Sequence, residues 1–434
     1  MSDTIETLAG LVDDNPIDGL FRVKASAFTD QAVLALEQER IFKRTWLYAA
    51  HESEVEKPNA FVSRRVGGML LLITRGEDGN IHALINACTH RGALVCRNDS
   101  GCSRTFKCPY HGWSFDTQGH LVGVPGEDAY DGSRFERKTM GLKRVAQVAS
   151  YRGFIFINAT ADAEPLVDFL AGAREMLDLV ADQAPQGLEI LPGSHRYIIR
   201  ANWKLVAENA IDSYHFRILH RRYLSFMRSK GAEVGAHAGG FTPRGWSFGN
   251  GHGGDEHQNL AALGRFPGRW GPLFPESLKP AIEANRLELE QLYGAERAYR
   301  ISQVNRSMRL FPNFYILDNS NTGIRTFHPI SVDQVEVNEW MLAAKGESAE
   351  LREERLRTHS GLPGPAGFVS PDDVDTLESC QRGLSHQAFD WIDCSRGMMR
   401  AEPLPTDELQ LRGFYRHWHT LLTAGQVHYP ADAT

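Results

Sequence analysis

The sequence predicts an α+β protein of two domains. A small all-β domain covers residues 45–160, and a larger mixed domain is built from residues 1–44 and 161–434. Three observations predict this. A chain of 434 residues has room for two hydrophobic cores. From Trp46 to about Ala159, short β-type runs are punctuated by turn residues. Beyond that point helix-period and strand-period segments are interspersed.

Taken in order, residues 31–44 have helical periodicity. Residues 61–66, 69–74 and 81–86 read as strands, separated by Gly67-Gly68 and by Glu77-Asp78-Gly79-Asn80. Residues 151–157 read as a closing strand. Helical patterns follow at 166–182 and 203–215, with a strand at 196–200 between them. The stretch 235–272 is rich in Gly, His and Pro and reads as a long functional loop. A polar helix is predicted at 278–299, several antiparallel strands at 308–344, and helices at 372–393 and 407–423.

Composition narrows the function. Hydrophobic residues make up 42% and charged residues 23%, as in ordinary soluble proteins. A net charge of -7 argues against a nucleic-acid partner. No apolar run is long enough to span a bilayer, and no signal peptide is visible, so a cytoplasmic protein is expected. Six cysteines do not suggest a disulfide scaffold. Cys380 and Cys394 read as buried apolar residues, and Cys96 and Cys102 as non-ligands.

Two others stand in a metal-binding pattern. Cys88-Thr89-His90 and Cys108-Pro109-Tyr110-His111 each pair a thiol with an imidazole on one loop. Two irons could be served, thiolates suiting one and neutral imidazoles the other. A structural zinc site also uses two Cys and two His. A zinc finger, however, keeps its cysteines together and its histidines together. Gly92 and Gly112 would let backbone amides approach the sulfurs.

The second pattern is His215 and His220, with acidic residues nearby. Two imidazoles and one carboxylate leave positions open for dioxygen on Fe(II). On a regular helix, positions five apart point about 140° apart. Joint ligation therefore predicts a π-type turn or a break between them.

The loops Cys88-Thr89-His90-Arg91-Gly92 and Cys108-Pro109-Tyr110-His111-Gly112-Trp113 resemble those of Rieske [2Fe–2S] proteins. The segment Glu208-Asn209-x2-Asp212-x-Tyr214-His215-x4-His220 resembles the mononuclear iron motif of Rieske-type ring-hydroxylating oxygenases, large subunit. The resemblance covers nearly the whole chain. It implies a catalytic domain of helix-grip type, in which an antiparallel sheet is flanked by helices. It assigns Cys88, Cys108, His90 and His111 to the cluster, and His215, His220 and Asp373 to one Fe(II), with Asp372 in reserve. It makes Asp212 an inter-subunit electron bridge in a homotrimer, or in an α3β3 assembly with a small β subunit. Asn209 and Arg325 are assigned to substrate, and Arg412 is a further candidate for holding a carboxylate.

The chain looks most like the branch acting with dioxygen on aromatic carboxylates such as benzoate, p-cumate or terephthalate. The alternatives are a neutral-arene dioxygenase, a ring monooxygenase, a pure electron carrier and a zinc-stabilised binding protein. No flavin or nicotinamide fingerprint is evident. A separate reductase, with or without a ferredoxin, is therefore expected to supply electrons.

Overall fold

The computed structural model describes residues 8–231, 242–258, 264–386 and 389–424. It divides into two units, one of residues 42–169 and one of Met1–Ile41 with Leu170–Thr434.

The first unit is built of three antiparallel sheets. Ala60–Val66, Met69–Arg75 and Ile81–Ile85 form one sheet, with Ser100–Cys102 on its edge. Thr105–Lys107, Ser114–Asp116 and Leu121–Gly123 form a second. In the third, Phe154–Asn158 lies between Leu47–His51 and Gln147–Tyr151, and every one of its residues is buried. The single strand read at 151–157 is thus the second arm of a hairpin. Its turn, Arg152-Gly153, has φ of 52° and 90°, which suits a tight two-residue connection.

The second unit is organised on an eight-stranded antiparallel sheet. Its strands, numbered within the sheet, are β1 Leu188–Ile190, β2 His195–Ile199, β3 Arg244–Gly249 and β4 His252–His257, followed by β5 Asn305–Leu310, β6 Phe314–Asp318, β7 Thr322–Ser331 and β8 Gln334–Ala344. The spatial order runs β8-β7-β6-β5-β4-β3, with β1 and β2 both paired to β8. Residues directly opposite on neighbouring strands share a face. One such row is His195, Glu339, Arg325 and Tyr315.

Several predicted elements differ. The loop expected at 235–272 contains β3 and β4; the parts at 232–241 and 259–263 lie outside the described residues. β4 reads His-Gly-Gly-Asp-Glu-His and has no apolar side chain, yet all six of its residues are buried between β3 and β5. The helix expected at 166–182 is two, Leu166–Leu170 and Ala173–Ala181, separated at Ala171, whose φ is 44°. The helix expected at 372–393 spans Ser370–Ser385, and Trp391–Asp393 is a strand. Cys394 is buried, but Cys380 is exposed on that helix.

A buried polar cluster helps to tie in the N-terminal segment. Asp30 caps the helix Gln31–Glu37 by accepting from Ala32 N. At the helix end the Glu37 carboxylate accepts from Lys204 Nζ at 2.6 Å and from Trp203 Nε1 and Trp418 Nε1, each at 2.8 Å. Glu37 and Lys204 are wholly buried. Trp418 belongs to the C-terminal helix Leu409–Leu422, which buries Leu411, Phe414, Tyr415, Trp418 and Leu422 as one apolar stripe.

Candidate metal centres

In the first unit the two metal-motif loops share one backbone geometry. Cys88 N donates to Ala93 O, and Gly92 N returns a bond to Cys88 O at 2.7 Å. Cys108 N donates to Trp113 O, and Gly112 N returns a bond to Cys108 O at 3.0 Å. Both closures need a left-handed residue, and Gly92 and Gly112 have φ of 76° and 77°. Each loop therefore presents its Cys and His from one tight bend.

The bends bring the four side chains together. Cys88 and Cys108 are both buried and their thiols are in contact. Burial and the neighbouring thiol hold the Cys88 pKa above its ordinary value. The His90 and His111 ring centroids are 4.6 Å apart, and Trp113 stacks on His90. His90 Nδ1 is buried without a hydrogen-bond partner. Two adjoining thiols, two adjoining imidazoles and an orphaned ring nitrogen fit a cluster with mixed sulfur and nitrogen ligation. Cys96 and Cys102 turn instead to the carbonyls of Asn98 and Pro58.

In the second unit the helix expected over 203–215 stops at Asn209. The chain then turns, makes the single helical turn Phe216–Leu219, and breaks at His220 (φ −91°, ψ 31°) before Arg221–Ser229. His215 and His220 flank that short turn, with ring centroids 5.2 Å apart. Asp373 enters from the first turn of Ser370–Ser385. Its Oδ1 is 3.5 Å from His215 Nε2 and 3.2 Å from His220 Nε2.

The outer nitrogens are also occupied. His215 Nδ1 lies 3.1 Å from Asp212 Oδ2, and His220 Nδ1 lies 3.5 Å from Asp372 Oδ2. A carboxylate behind each ring fixes its tautomer and turns Nε2 inward, as metal sites require. Asn209 Nδ2 donates to Asp373 Oδ1 at 3.2 Å, so the amide assigned to substrate also steadies this carboxylate. The His215–His220–Asp373 set fits a single iron held by two imidazoles and one carboxylate. Although burial favours its neutral ring, the hydrogen bond and charge of Asp212 hold His215 above its ordinary pKa. Acids around Asp212 are raised by burial and then by its charge: Glu208 to about 8, Glu408 to about 7.

A cavity of about 580 Å³ opens beside these ligands. Its sheet wall carries Asp255, His257, Ser307, Tyr315, Leu317 and Arg325. Strand alternation and register place these on one face. Asp255 and His257 belong to β4, within the stretch expected to be a loop; their spacing of two is the local sign of a strand. Burial pushes the Asp255 carboxyl up to about 7 and keeps the His257 ring neutral, down to about 4.

Arg325 is placed as a cavity residue. Its Nε donates to Glu339 Oε1 at 2.9 Å, and its Nη2 to Pro363 O at 2.6 Å and Ser370 Oγ at 3.4 Å. Nη1 has no protein partner among the described residues. Arg412 is different. It is buried in the C-terminal helix, donates to the carbonyls of Cys394 and Arg396, and does not line the cavity. Its role is structural.

The chain also resembles known proteins. Residues 45–151 match the Rieske [2Fe-2S] domain, and residues 188–424 match the ring hydroxylating alpha subunit (catalytic domain). Toluate 1,2-dioxygenase subunit alpha of Pseudomonas putida is 35% identical, over 91% of this chain and 85% of that protein. The 2-halobenzoate 1,2-dioxygenase large subunit of Burkholderia cepacia is 36% identical, over 90% of this chain and 83% of that protein. Naphthalene 1,2-dioxygenase from Rhodococcus sp., solved with bound indole, superposes with a TM-score of 0.84 at 28% identity, over 98% of this chain and 99% of that one. Two mixed Cys/His loops, a His pair closed by a distant aspartate and this likeness along nearly the whole chain lead to one conclusion: the protein belongs to the alpha subunits of Rieske-type ring-hydroxylating dioxygenases.

Proposed function

We propose that the chain is a terminal oxygenase component that hydroxylates a monocyclic aromatic carboxylate, of benzoate or p-cumate type, to a cis-dihydrodiol. The observation that carries the substrate class is Arg325. It is anchored through Nε and Nη2, which leaves Nη1 as a fixed cationic donor on a residue that lines the cavity. Burial alone would weaken its charge, but Glu339 beside it sustains the charge. Toluate and 2-halobenzoate, named for two relatives, are aromatic acids.

In this reading Cys88, Cys108, His90 and His111 hold the [2Fe–2S] cluster, and His215, His220 and Asp373 hold the iron. The bound metals supply single-electron delivery and dioxygen activation. The chain's own residues bind and orient. Arg325 takes the carboxylate, Asn209 and the backing carboxylates hold the ligands, and Ile211, Phe216, Leu362 and Val369 on the cavity wall exclude water. A separate reductase, with or without a ferredoxin, provides the electrons from NAD(P)H. Asp212 connects His215 to the cluster domain of a neighbouring subunit, in a homotrimer or an α3β3 assembly.

Two variants test this. Arg325→Ala should weaken binding of benzoate-type substrates by roughly 2–5 kcal/mol, with little change for uncharged analogues. Substrate-dependent oxygen uptake measures this, and metal content reports whether the variant folds. A hydrocarbon such as naphthalene or biphenyl outcompeting every benzoate would overturn the substrate class. Asp212→Ala should keep both metals yet lower turnover by about 100-fold, the upper range for losing a ligand's carboxylate partner. Normal turnover in that variant would remove Asp212 from the electron path.

A further inference from the structure

A second group of metal-ligating side chains lies on the catalytic sheet and shares no residue with the iron ligands. His195 on β2 sits directly opposite Glu339 on β8, which sits directly opposite Arg325 on β7. The helix Ala349–Gly361 brings in His359. Glu339 Oε2 is 3.5 Å from His195 Nδ1, and Oε1 is 3.3 Å from His359 Nε2. The two imidazoles are parallel, with centroids 5.7 Å apart. One ligand atom from each of the three lies within 4.8 Å of the others, as in the His215–His220–Asp373 set.

An ordinary ion pair does not account for this arrangement. Arg325 satisfies one Glu339 oxygen. The Glu339 side chain is only 1% exposed, and its other oxygen has no hydrogen-bond partner. His359, 4% exposed, faces Glu339 through Nε2, and only its Nδ1, on the other side of the ring, is buried without a partner. Orphaned buried polar atoms are costly unless something takes them up. Gly323 leaves room here, since a Cβ at that position would lie 3.3 Å from His359 Cε1. His195, with 37% of its side chain exposed, opens the cluster to solvent.

We propose that His195, Glu339 and His359 bind a divalent transition ion of the zinc type, at a site separate from the mononuclear iron. Two imidazoles, one carboxylate and a solvent water make the four-coordinate set that zinc favours. Arg325 then acts as the outer hydrogen-bond partner that orients the ligating carboxylate. Burial holds His359 down to about 4, so its ring carries a free lone pair at neutral pH. Because Arg325 also lines the catalytic cavity, an ion sharing Glu339 loosens the hold on that guanidinium. This consequence rests on the substrate reading; ion binding itself does not.

The test is to incubate the iron-loaded oxygenase with Zn²⁺, remove free metal and count zinc and iron per chain. The expected result is about one retained zinc with iron unchanged. His195→Ala and His359→Gln should each weaken retention by at least about tenfold, the lower end for losing even an outer partner of a metal ligand. Asp373→Ala, which lacks an iron ligand, should retain the zinc. His195 is partly exposed on the sheet, so its variant tests the site without emptying the core. Zinc taken up only in exchange for iron, or retained equally by both histidine variants, would overturn the proposal. Neither result bears on which aromatic substrate is used.

Discussion

Asp373→Ala is expected to lose the mononuclear iron while the cluster stays bound, and hydroxylation should fall to background. The geometry sets the size of the effect. Asp373 Oδ1 is the one carboxylate atom within 3.5 Å of both His215 Nε2 and His220 Nε2 among the described residues. Without it two neutral imidazoles remain, and iron affinity should drop by more than about 100-fold. Asp372→Ala provides the contrast. The Asp372 carboxylate faces the outer nitrogen of His220 and not the iron side, so about a tenfold loss is expected. Iron analysis alongside the visible spectrum of the cluster distinguishes the two. If Asp373→Ala keeps its iron and Asp372→Ala does not, the two roles are exchanged.

The largest effect on stability is expected at Lys204 and Glu37. Both side chains are wholly buried, and the carboxylate also accepts from two indole N–H groups. Burial pulls the Lys204 pKa down, and Glu37 opposes that pull. The ammonium lies 5.3–5.5 Å from the ring centres of Phe28, Trp203 and Trp418. Lys204→Met leaves an uncompensated buried carboxylate and should cost about 3–5 kcal/mol. That is a large share of the 5–15 kcal/mol typical of a folded protein. The urea midpoint for release of the mononuclear iron measures it. The double variant Glu37→Leu with Lys204→Met should recover part of the loss, because an apolar pair leaves no charge unpaired. A single variant with an unchanged midpoint would show that the pair holds nothing together.

What the sequence reveals follows from how local each signal is. The two Cys/His loops are legible because each is a five-residue bend closed by its own glycine, so the motif is local in sequence. The strands of β6 to β8 are legible because apolar residues recur in them. β4 is not, since a polar strand in the middle of a sheet violates the alternation that normally marks one. Its Asp255 and His257 are buried against the cavity, and a functional wall is where local rules are expected to fail. The end of the helix at Asn209 is equally hidden. The pattern continues past it, but the chain must turn to bring His215 and His220 to Asp373. Arg412 shows the limit of residue type alone. It can pair with a carboxylate as well as Arg325 can, and only the fold shows that its Nη1 is engaged by two carbonyls and that it does not line the cavity.

The buried contact between Glu37 and Trp418 also orders events during synthesis. The two residues are 381 positions apart, so at about 5–20 residues per second the ribosome needs roughly 20–80 s to deliver the second after the first. Throughout that interval the first helix has no finished pocket to enter. Residues 42–169 are complete long before and can fold within it. The nascent chain can therefore order residues 42–169 while its first segment waits for the last helix. A chain truncated before residue 409 would leave Glu37 without one of its indole donors, and a chaperone that shields this segment would act in that window.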